Sequence, residues 1–500
     1  MLKKVIKYVL IFLICLIICS IGWAFRAYDI ITFDEIIFHL NFNLTKSGSS
    51  VLFDYFLKGF VPTVVLFFFI LFLFKKIDDF VNGHNILIDI DVFKKSFNFK
   101  FDENKSRKFF VFLTYLLLIL ILIFNLYKLG LFTYIKNQMQ KSTFIEKNYV
   151  DPKKVNLEFP TEKRNLVYIF VESFETSYMS SDLGGLEDRN LLFNLTDLMN
   201  ENINFSNSNK FGGAYQVNCL GWTAAGMVAQ TAGIPLKIPG SIANSSHFKE
   251  YLPGVYSLGD VLEKEGYNQE LLLGSNASFG NRGIYFKTHG NYNIYDYKTA
   301  IKKKKISKDY FRNWGFEDSK LFDIAKEEIT NLSNKGKPFN FMTLTTMTHF
   351  PNGFVEDTCE NKYEDDYSNA IDCSSKQLSD FVNWIKEQDF YDNTTIVIVG
   401  DHLTMQAGFF EDEVFDKRTV FNLFINSAAE EKNSKERNFT VMDFYPTTLA
   451  SLGVKIDGDK LGLGVNLFSD EQTLLEKYGF KKVDEEFAKV SAFYNKKLLK

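Results

Sequence analysis

Asp401 and His402 stand side by side directly after Thr394–Val399 (TTIVIV) and one glycine, a β-branched apolar run that reads as a buried strand. A carboxylate at such a place is costly without a partner. Two more strand-like runs end in the same manner. Asn165–Val171 (NLVYIFV) is followed at once by Glu172, and Asn340–Thr348 (NFMTLTTMT) runs to His349. If the strands are parallel their carboxyl ends share one edge, where ligands of such sheets bind. A carboxylate, a carboxylate with an imidazole, and a further histidine then converge, which is the composition of a metal site. Each has a plainer role by itself. Glu172 can be a first-turn acid favoured by a helix dipole, and His349 a loop histidine packed on its neighbours. The joint placement is what points to a metal.

Hydrolytic or transfer chemistry at a metal also needs a nucleophile. The segment Phe211–Pro235 (FGGAYQVNCLGWTAAGMVAQTAGIP) has a Gly-rich approach and then Thr223 at the head of a small-residue helix. A hydroxyl there gains from the positive end of the helix, which also favours an anionic phosphate. Taken alone, Thr223 reads as an N-cap. The two roles are compatible. Arg282, in a Gly-bounded stretch (SNASFGNRGIYFKTHG) that also holds His289, can grip phosphate bidentately or be a plain surface arginine.

The elements that must carry these residues alternate. Strand patterns at Asn165–Val171, Asn268–Leu273, Phe339–Leu344, Thr394–Val399 and Val420–Ile425 are separated by helical patterns at Asn190–Glu201, Tyr256–Glu265, Asp318–Asn331 and Ser374–Gln388. Strand and helix in turn predict an α/β fold, a mostly parallel central sheet covered on both faces. This domain is placed at 161–470, after a linker at 128–160 and before a charged helical tail at 471–500. The tail is expected either to pack on the domain or to lie along a membrane surface with its lysines.

Residues 1–127 have a different character. Apolar runs at 5–25, 58–74 and 109–126 are each near the length needed to cross a hydrocarbon layer of roughly 30 Å. The first is too long for a signal-peptide core and no A-x-A site follows, which favours an anchor. The 58–74 run is short enough to be a buried or re-entrant helix instead. Lys75, Lys76, Lys94, Lys95, Lys100, Lys105, Arg107 and Lys108 lie between the second and third runs, whereas the loop from Arg26 to Lys58 has few bases. The positive-inside rule puts the basic stretch in the cytoplasm and everything after about residue 127 outside. A formal net charge of −4 offers no basic field for nucleic acid. Cys359 and Cys373 bracket a polar, acidic stretch, and in an oxidising compartment that spacing favours a disulfide over two free thiols. Cys15 and Cys19 read as apolar filler in the first span.

In order, VYIFVESFE, GWTAAGMVAQTAGIP, NWGFEDSKLFD, THFPNGF, the Cys359–Cys373 loop, IVIVGDHL and LGLGVNLF resemble the membrane phosphoglycerol transferases of the alkaline phosphatase and sulfatase superfamily. The likeness covers roughly residues 160–470 and is greatest to phosphoglycerol transferase I. It implies that Glu172, Thr223, Asp401 and His402 hold one divalent ion, manganese or in some members magnesium or zinc. Manganese also suits a carboxylate-rich set with one imidazole. It implies Thr223 as nucleophile and His349 as the residue that contacts the substrate phosphate or protonates the leaving group. Trp314, in the family's WG segment, would line the glycerol pocket, with Asp318 either part of that segment or a cap on the next helix. The implied donor is phosphatidylglycerol, giving sn-glycerol 1-phosphate to an extracytoplasmic glycan or polyglycerol phosphate acceptor. The implied location is the bacterial cytoplasmic membrane, with several spans and the catalytic domain outside.

Several departures bear on this. The run Cys219-Leu-Gly-Trp-Thr223 lacks the Pro and Arg of the C-x-P-x-R pattern that sulfatases modify, which argues against sulfatase activity and makes Cys219 a small buried residue beside the site. The six histidines are His39, His84, His247, His289, His349 and His402. With the first two in the membrane region, too few remain for a two-zinc site, so one ion is expected. Alternatives are a phosphoethanolamine transferase, a lipoteichoic acid synthase-type polymerase, and an inactive membrane-anchored glycan-binding protein. A transporter with an appendage is disfavoured, because the spans carry no intramembrane charge pattern.

Overall fold

The computed structural model describes residues 2–27, 33, 36, 49–82, 86–92, 95–237, 250–410 and 412–500. His39, His84, Lys94 and His247, named above, lie outside them. The chain divides into two compact units, one of residues 1–33 and 47–133 and one of 34–46 and 134–500.

The first unit contains three helices long and apolar enough to cross a membrane, Val5–Ala27, Leu52–Val81 and Glu103–Lys128. The second is longer than the 58–74 run because a helical turn at Ser49–Tyr55 and a wide turn at Phe56–Phe60 continue into it. Ile11, Cys15, Ile70 and Leu118 form a small buried cluster between them, while Phe68, Phe72, Leu117 and Phe124 face outward. Apolar surface on the outside and little core inside is what a lipid solvent permits. Between the second and third helices, Ile86–Val92 and Lys95–Phe101 pair as an antiparallel hairpin.

The second unit is an α/β domain built on six strands: β1 (Asn165–Val171), β2 (Asn268–Leu273), β3 (Asn293–Tyr295), β4 (Phe339–Leu344), β5 (Thr394–Gly400) and β6 (Asn422–Ile425). Their order is β3-β2-β4-β1-β5-β6. The first five run parallel and β6 is antiparallel to β5. Strand β1 is wholly buried, as expected of a central strand covered on both faces. Val167, Ile169 and Val171 enter one core with Leu321 and Phe322 of α1 (Asp318–Ser333) and Leu378 and Phe381 of α2 (Asp366–Lys386). On the opposite face the Tyr168 hydroxyl donates to Gln230 Oε1 (3.0 Å), from the helix Thr223–Ala232, called αN here.

Several boundaries differ from the sequence reading for physical reasons. The helix expected from Ser374 begins at Asp366, because Asp365 caps it by accepting from the Ser368 N–H. Cys373 therefore sits inside a helix, and the disulfide expected with Cys359 closes the intervening exposed loop onto α2. Val420 makes only isolated bridges, with Glu175 and Ala214, so the regular strand starts at Asn422. The α-helix expected over Asn190–Glu201 is regular only from Thr196. Residues 141–158, in the stretch read as a linker, carry paired backbone: Lys141 bridges Val490, Val150 bridges Gly462, and Leu157–Glu158 pairs with Lys455–Ile456. The tail forms short helices at Leu474–Tyr478 and Phe480–Ala488 that bury Val483 and Phe487 on this domain.

Candidate active site

Strand register creates the site. Val171 lies opposite Gly400 in the parallel β1/β5 pair, and the pairing continues one step as the Asp401 N–H donates to the Val171 carbonyl (3.0 Å). The next side chains off the two strand ends, Glu172 and Asp401, are therefore neighbours. Ser173 then turns the chain with φ at 50°, in the left-handed region that non-glycine residues rarely occupy. That turn aims its N–H at Asp401 Oδ1 (2.7 Å) and its hydroxyl at Glu172 Oε1 (2.8 Å).

Helix αN closes the site from the other face. Trp222 occupies its N-cap position, so Thr223 is the first helical residue rather than the cap. The Thr223 hydroxyl donates to Glu172 Oε2 (3.3 Å) and lies 3.5 Å from His402 Nε2. Close seating of the helix depends on Gly226: a Cβ there would meet the Asp401 carbonyl oxygen at 2.0 Å. Gln230 locks the same contact by donating to the Gly400 carbonyl (2.8 Å).

Glu172, Asp401 and His402 are almost completely buried, and their ligand-capable atoms lie within 4.8 Å of one another. The His402 Nδ1 faces the Leu403 carbonyl (2.7 Å) and must donate to it. Nε2 then presents its lone pair to Glu172 Oε1 and Asp401 Oδ2, each 3.5 Å away. Asp401 Oδ1 already accepts from the N–H groups of Ser173 and His402, whereas Oδ2 has no hydrogen-bond partner. Three acceptors facing one another in a buried place require a positive charge between them. Burial pushes the His402 pKa down, but Asp401 and Glu172 outweigh it and hold it up at about 10. A proton on that ring or a divalent cation satisfies the cluster, and an oxygen-rich donor set with one imidazole fits a cation.

His349 follows β4. Its Nδ1 donates to the Phe350 carbonyl (2.6 Å), and the ring packs between Trp314 (4.3 Å between centroids) and Phe350 (4.7 Å). Burial pushes its pKa below the usual imidazole value despite the pull of Glu172. The loop before it is held by Asp318, which accepts from the N–H groups of Thr346 (2.8 Å) and Met347 (2.9 Å). Trp314 also meets the Phe279 ring at 5.6 Å. Asn313 donates to the Thr346 carbonyl (2.9 Å), which fixes the WG segment beside His349.

Arg282 is buried, not a surface arginine. Its guanidinium is committed to Ser275 Oγ (2.9 Å) and to the Phe279 carbonyl (3.1 Å). Burial lowers its pKa to about 10 while Glu172 and Asp401 pull it upward, so its charge acts on the site through space. His289 is elsewhere, held between Asp260 Oδ2 (3.0 Å) and the Tyr251 carbonyl (2.8 Å). Cys219 is buried with φ at 68°.

Sequence reasoning missed the pair beneath the Asp401–Thr404 turn. Arg418 and Glu175 are both buried and meet at 2.6 and 3.1 Å. Glu175 also accepts from the Thr404 N–H (2.7 Å), and Arg418 donates to the Thr404 carbonyl (2.8 Å). The two are 243 residues apart in sequence, and although Glu175 closes the VYIFVESFE run, nothing local pairs it with Arg418. Gln216, which accepts from the Leu403 N–H (2.8 Å), was equally silent.

Residues 164–454, more than half of the chain, match the family model described as Sulfatase. The chain belongs to the sulfatase family. Among curated relatives of this sulfatase-family chain, phosphoglycerol transferase I of Salmonella choleraesuis is 33% identical over 334 residues, 65% of this chain and 41% of the relative. The chain thus spans about two fifths of the length of that relative. Among solved structures, the lipoteichoic acid synthase LtaP from Listeria monocytogenes superposes with a TM-score of 0.49 at 18% identity, covering 65% of this chain and 81% of that one. The Streptococcus pyogenes phosphoglycerol transferase GacH, in complex with sn-glycerol-1-phosphate, gives a TM-score of 0.40 at 14% identity, covering 74% and 92%.

Proposed function

We propose that this sulfatase-family chain transfers sn-glycerol 1-phosphate from phosphatidylglycerol to a hydroxyl of an extracytoplasmic glycan or polyglycerol phosphate, through a covalent intermediate on Thr223. The observation that carries this is the Thr223 hydroxyl at a helix start, 3.3 Å from Glu172 and 3.5 Å from His402, beside a buried cluster whose donor set fits a divalent cation. Support for the transferred group comes from the similarity to phosphoglycerol transferase I. Glu172, Asp401, His402 and Thr223 would hold one divalent ion, with manganese preferred over magnesium or zinc on donor grounds. Such an ion, when bound, supplies Lewis-acid stabilisation of charge and lowers the pKa of a bound hydroxyl.

The rest is done by protein groups. Glu172 Oε2 is the acceptor within reach of the Thr223 proton, and Ser173 holds that carboxylate in place. Thr223 oxygen attacks phosphorus, the bond from phosphorus to the diacylglycerol oxygen breaks, and that oxygen takes a proton. An acceptor hydroxyl then attacks phosphorus, loses its proton, and Thr223 leaves with one restored. Because Nδ1 of His349 donates to Phe350, Nε2 is the side that can exchange protons. A neutral ring suits taking the acceptor's proton in the second displacement and returning it to the leaving oxygen in the next first step. Trp314 orients His349 and walls the glycerol side, and Arg282 adds positive potential for the phosphate.

Intact-mass spectrometry of the full chain with manganese and phosphatidylglycerol tests this. One glycerophosphoryl unit is expected on the wild type and none on Thr223→Ala. An unmodified wild type under those conditions, or an adduct from phosphatidylethanolamine alone, would overturn the donor assignment.

A further inference from the structure

Between the short helix Tyr297–Lys302 and Trp314 the chain runs through KKKKISKDYFR. From Lys302 to Arg312 every residue except Ile306 and Tyr310 is exposed. Six bases face one acid, Asp309, in a chain whose formal net charge is −4. Lys303 pairs with Glu328 (2.7 Å) and Lys305 with Glu327 (2.5 Å). Lys302, Lys304 and Lys308 have no carboxylate partner among the described residues. In the midst of these charges Phe311 leaves 49% of its surface in water, although an aromatic ring ordinarily buries most of its area.

The strip is built firmly and ends at the active site. The Tyr297 hydroxyl donates to the Tyr310 carbonyl (2.5 Å), and its ring meets Phe311 edge-on at 5.7 Å. The backbones of Arg312 and Gly315 bond each other in both directions (2.8 and 2.9 Å). Between them Asn313 is anchored to Thr346 and Trp314 packs on His349. Whatever the strip touches is thereby held beside the site.

We infer that Lys302–Arg312 is a docking surface for an anionic phospholipid bilayer, the lysines lying among headgroup phosphates and Phe311 at the acyl boundary. Clustered lysines with an exposed aromatic ring are the chemistry of an interfacial membrane contact. An anionic polymer would need the lysines but leaves the ring unexplained. The inference rests on the reading above that the donor is a membrane phospholipid, and gives that donor a route to Thr223: the lipid layer is brought to the mouth of the site.

The test uses the full chain in nanodiscs of phosphatidylcholine, alone or mixed with phosphatidylserine, so that the anionic lipid is not the proposed donor. An environment-sensitive dye on Phe311→Cys reports contact, against a dye-treated chain retaining Phe311 that corrects for Cys15, Cys19 and Cys219. Blue-shifted emission is expected with phosphatidylserine and is reversed by high salt. Each lysine lost weakens docking about fivefold, so the combined Lys302→Gln, Lys304→Gln and Lys308→Gln variant should dock about a hundredfold more weakly. That variant should also show a raised KM for bilayer phosphatidylglycerol and unchanged turnover of a short-chain, water-soluble phosphatidylglycerol. Emission indifferent to lipid charge, a triple variant docking like wild type, or a shift caused only by soluble polyglycerol phosphate would overturn the inference. If the wild type turns over neither donor, the proposed function fails while the dye still decides docking.

Discussion

Gly226→Ala sets two effects of opposite sign against each other. In a helix interior alanine is favoured over glycine by about 1 kcal/mol, so propensity alone predicts a more stable protein. The added Cβ, however, would lie 2.0 Å from the Asp401 carbonyl oxygen, 2.8 Å from its carbon and 3.3 Å from its Cα. Ordinary contact begins at 3.4 Å, so the helix or the β5 end must give by about 1.4 Å. Backbone cannot rotate away as a side chain would, and overpacking of this kind costs about 1–3 kcal/mol. Since αN carries Thr223, the same shift is comparable to the slack in its 3.3 Å bond to Glu172. A misplacement of about 1 Å at a reacting group costs roughly a hundredfold in rate. The expected result is a melting temperature lowered by a few degrees, with formation of the Thr223 adduct slowed by about two orders of magnitude. Thermal unfolding of the full chain and the time course of adduct mass measure the two. A variant that melts higher and labels at the wild-type rate would refute the close seating of αN on Asp401.

Other expectations follow from the same geometry. Arg418→Met leaves Glu175 buried without its partner and should cost about 3–5 kcal/mol in denaturant unfolding, while adding Glu175→Leu should recover much of the loss. A double variant worse than the single one would refute the unpaired Glu175 charge as the source of the loss. Burial raises the Glu270 pKa from 4.5 to about 7, with the charge of Glu328 adding to it and the Asn293 hydrogen bond opposing it. The folded state then holds a proton that the unfolded state releases, so this stability is complete below pH 4.5 and lost as pH rises through 7. Glu270→Gln should remove that dependence and stabilise the protein at pH 8 by about 2–3 kcal/mol, read from unfolding across pH. A chelator should lower the melting temperature and manganese restore it, since an ion bound to the folded cluster of Glu172, Asp401 and His402 stabilises by mass action. A melting temperature indifferent to both would remove the cation from the reading.

What was legible in the sequence was legible through strand ends. Asn165–Val171 and Phe339–Leu344 are largely apolar runs and Asn268–Leu273 ends in one, and their limits in the structure are those of the pattern. Parallel strands end on one edge, which is why Glu172, far in sequence from Asp401 and His402, could be read as their neighbour. Direction was not legible for β6, because a buried apolar strand has the same composition either way. Strand β3 is three residues long at the sheet edge, too short for periodicity. The positive φ of Ser173 and the pairing of Glu175 with Arg418 arise only from tertiary packing, and no local signal announces them. Thr223 was read as a cap because its hydroxyl heads a helix, but the cap position belongs to Trp222.

The place of β1 in the sheet bears on how the chain comes to be folded. It is the first strand of the central sheet to be synthesised, yet it lies between β4 and β5. The side chain of its first residue, Asn165, waits 174 positions for the Phe339 N–H it receives. Until β4 and β5 have emerged, NLVYIFV is an apolar segment with both hydrogen-bonding edges open, the kind that self-associates. If the domain is exported unfolded, more than two hundred residues must cross before its centre can close. A nascent chain of this kind would depend on a holding chaperone at the exit of the translocation channel, and a pause in export between Glu172 and Phe339 would be its most aggregation-prone moment.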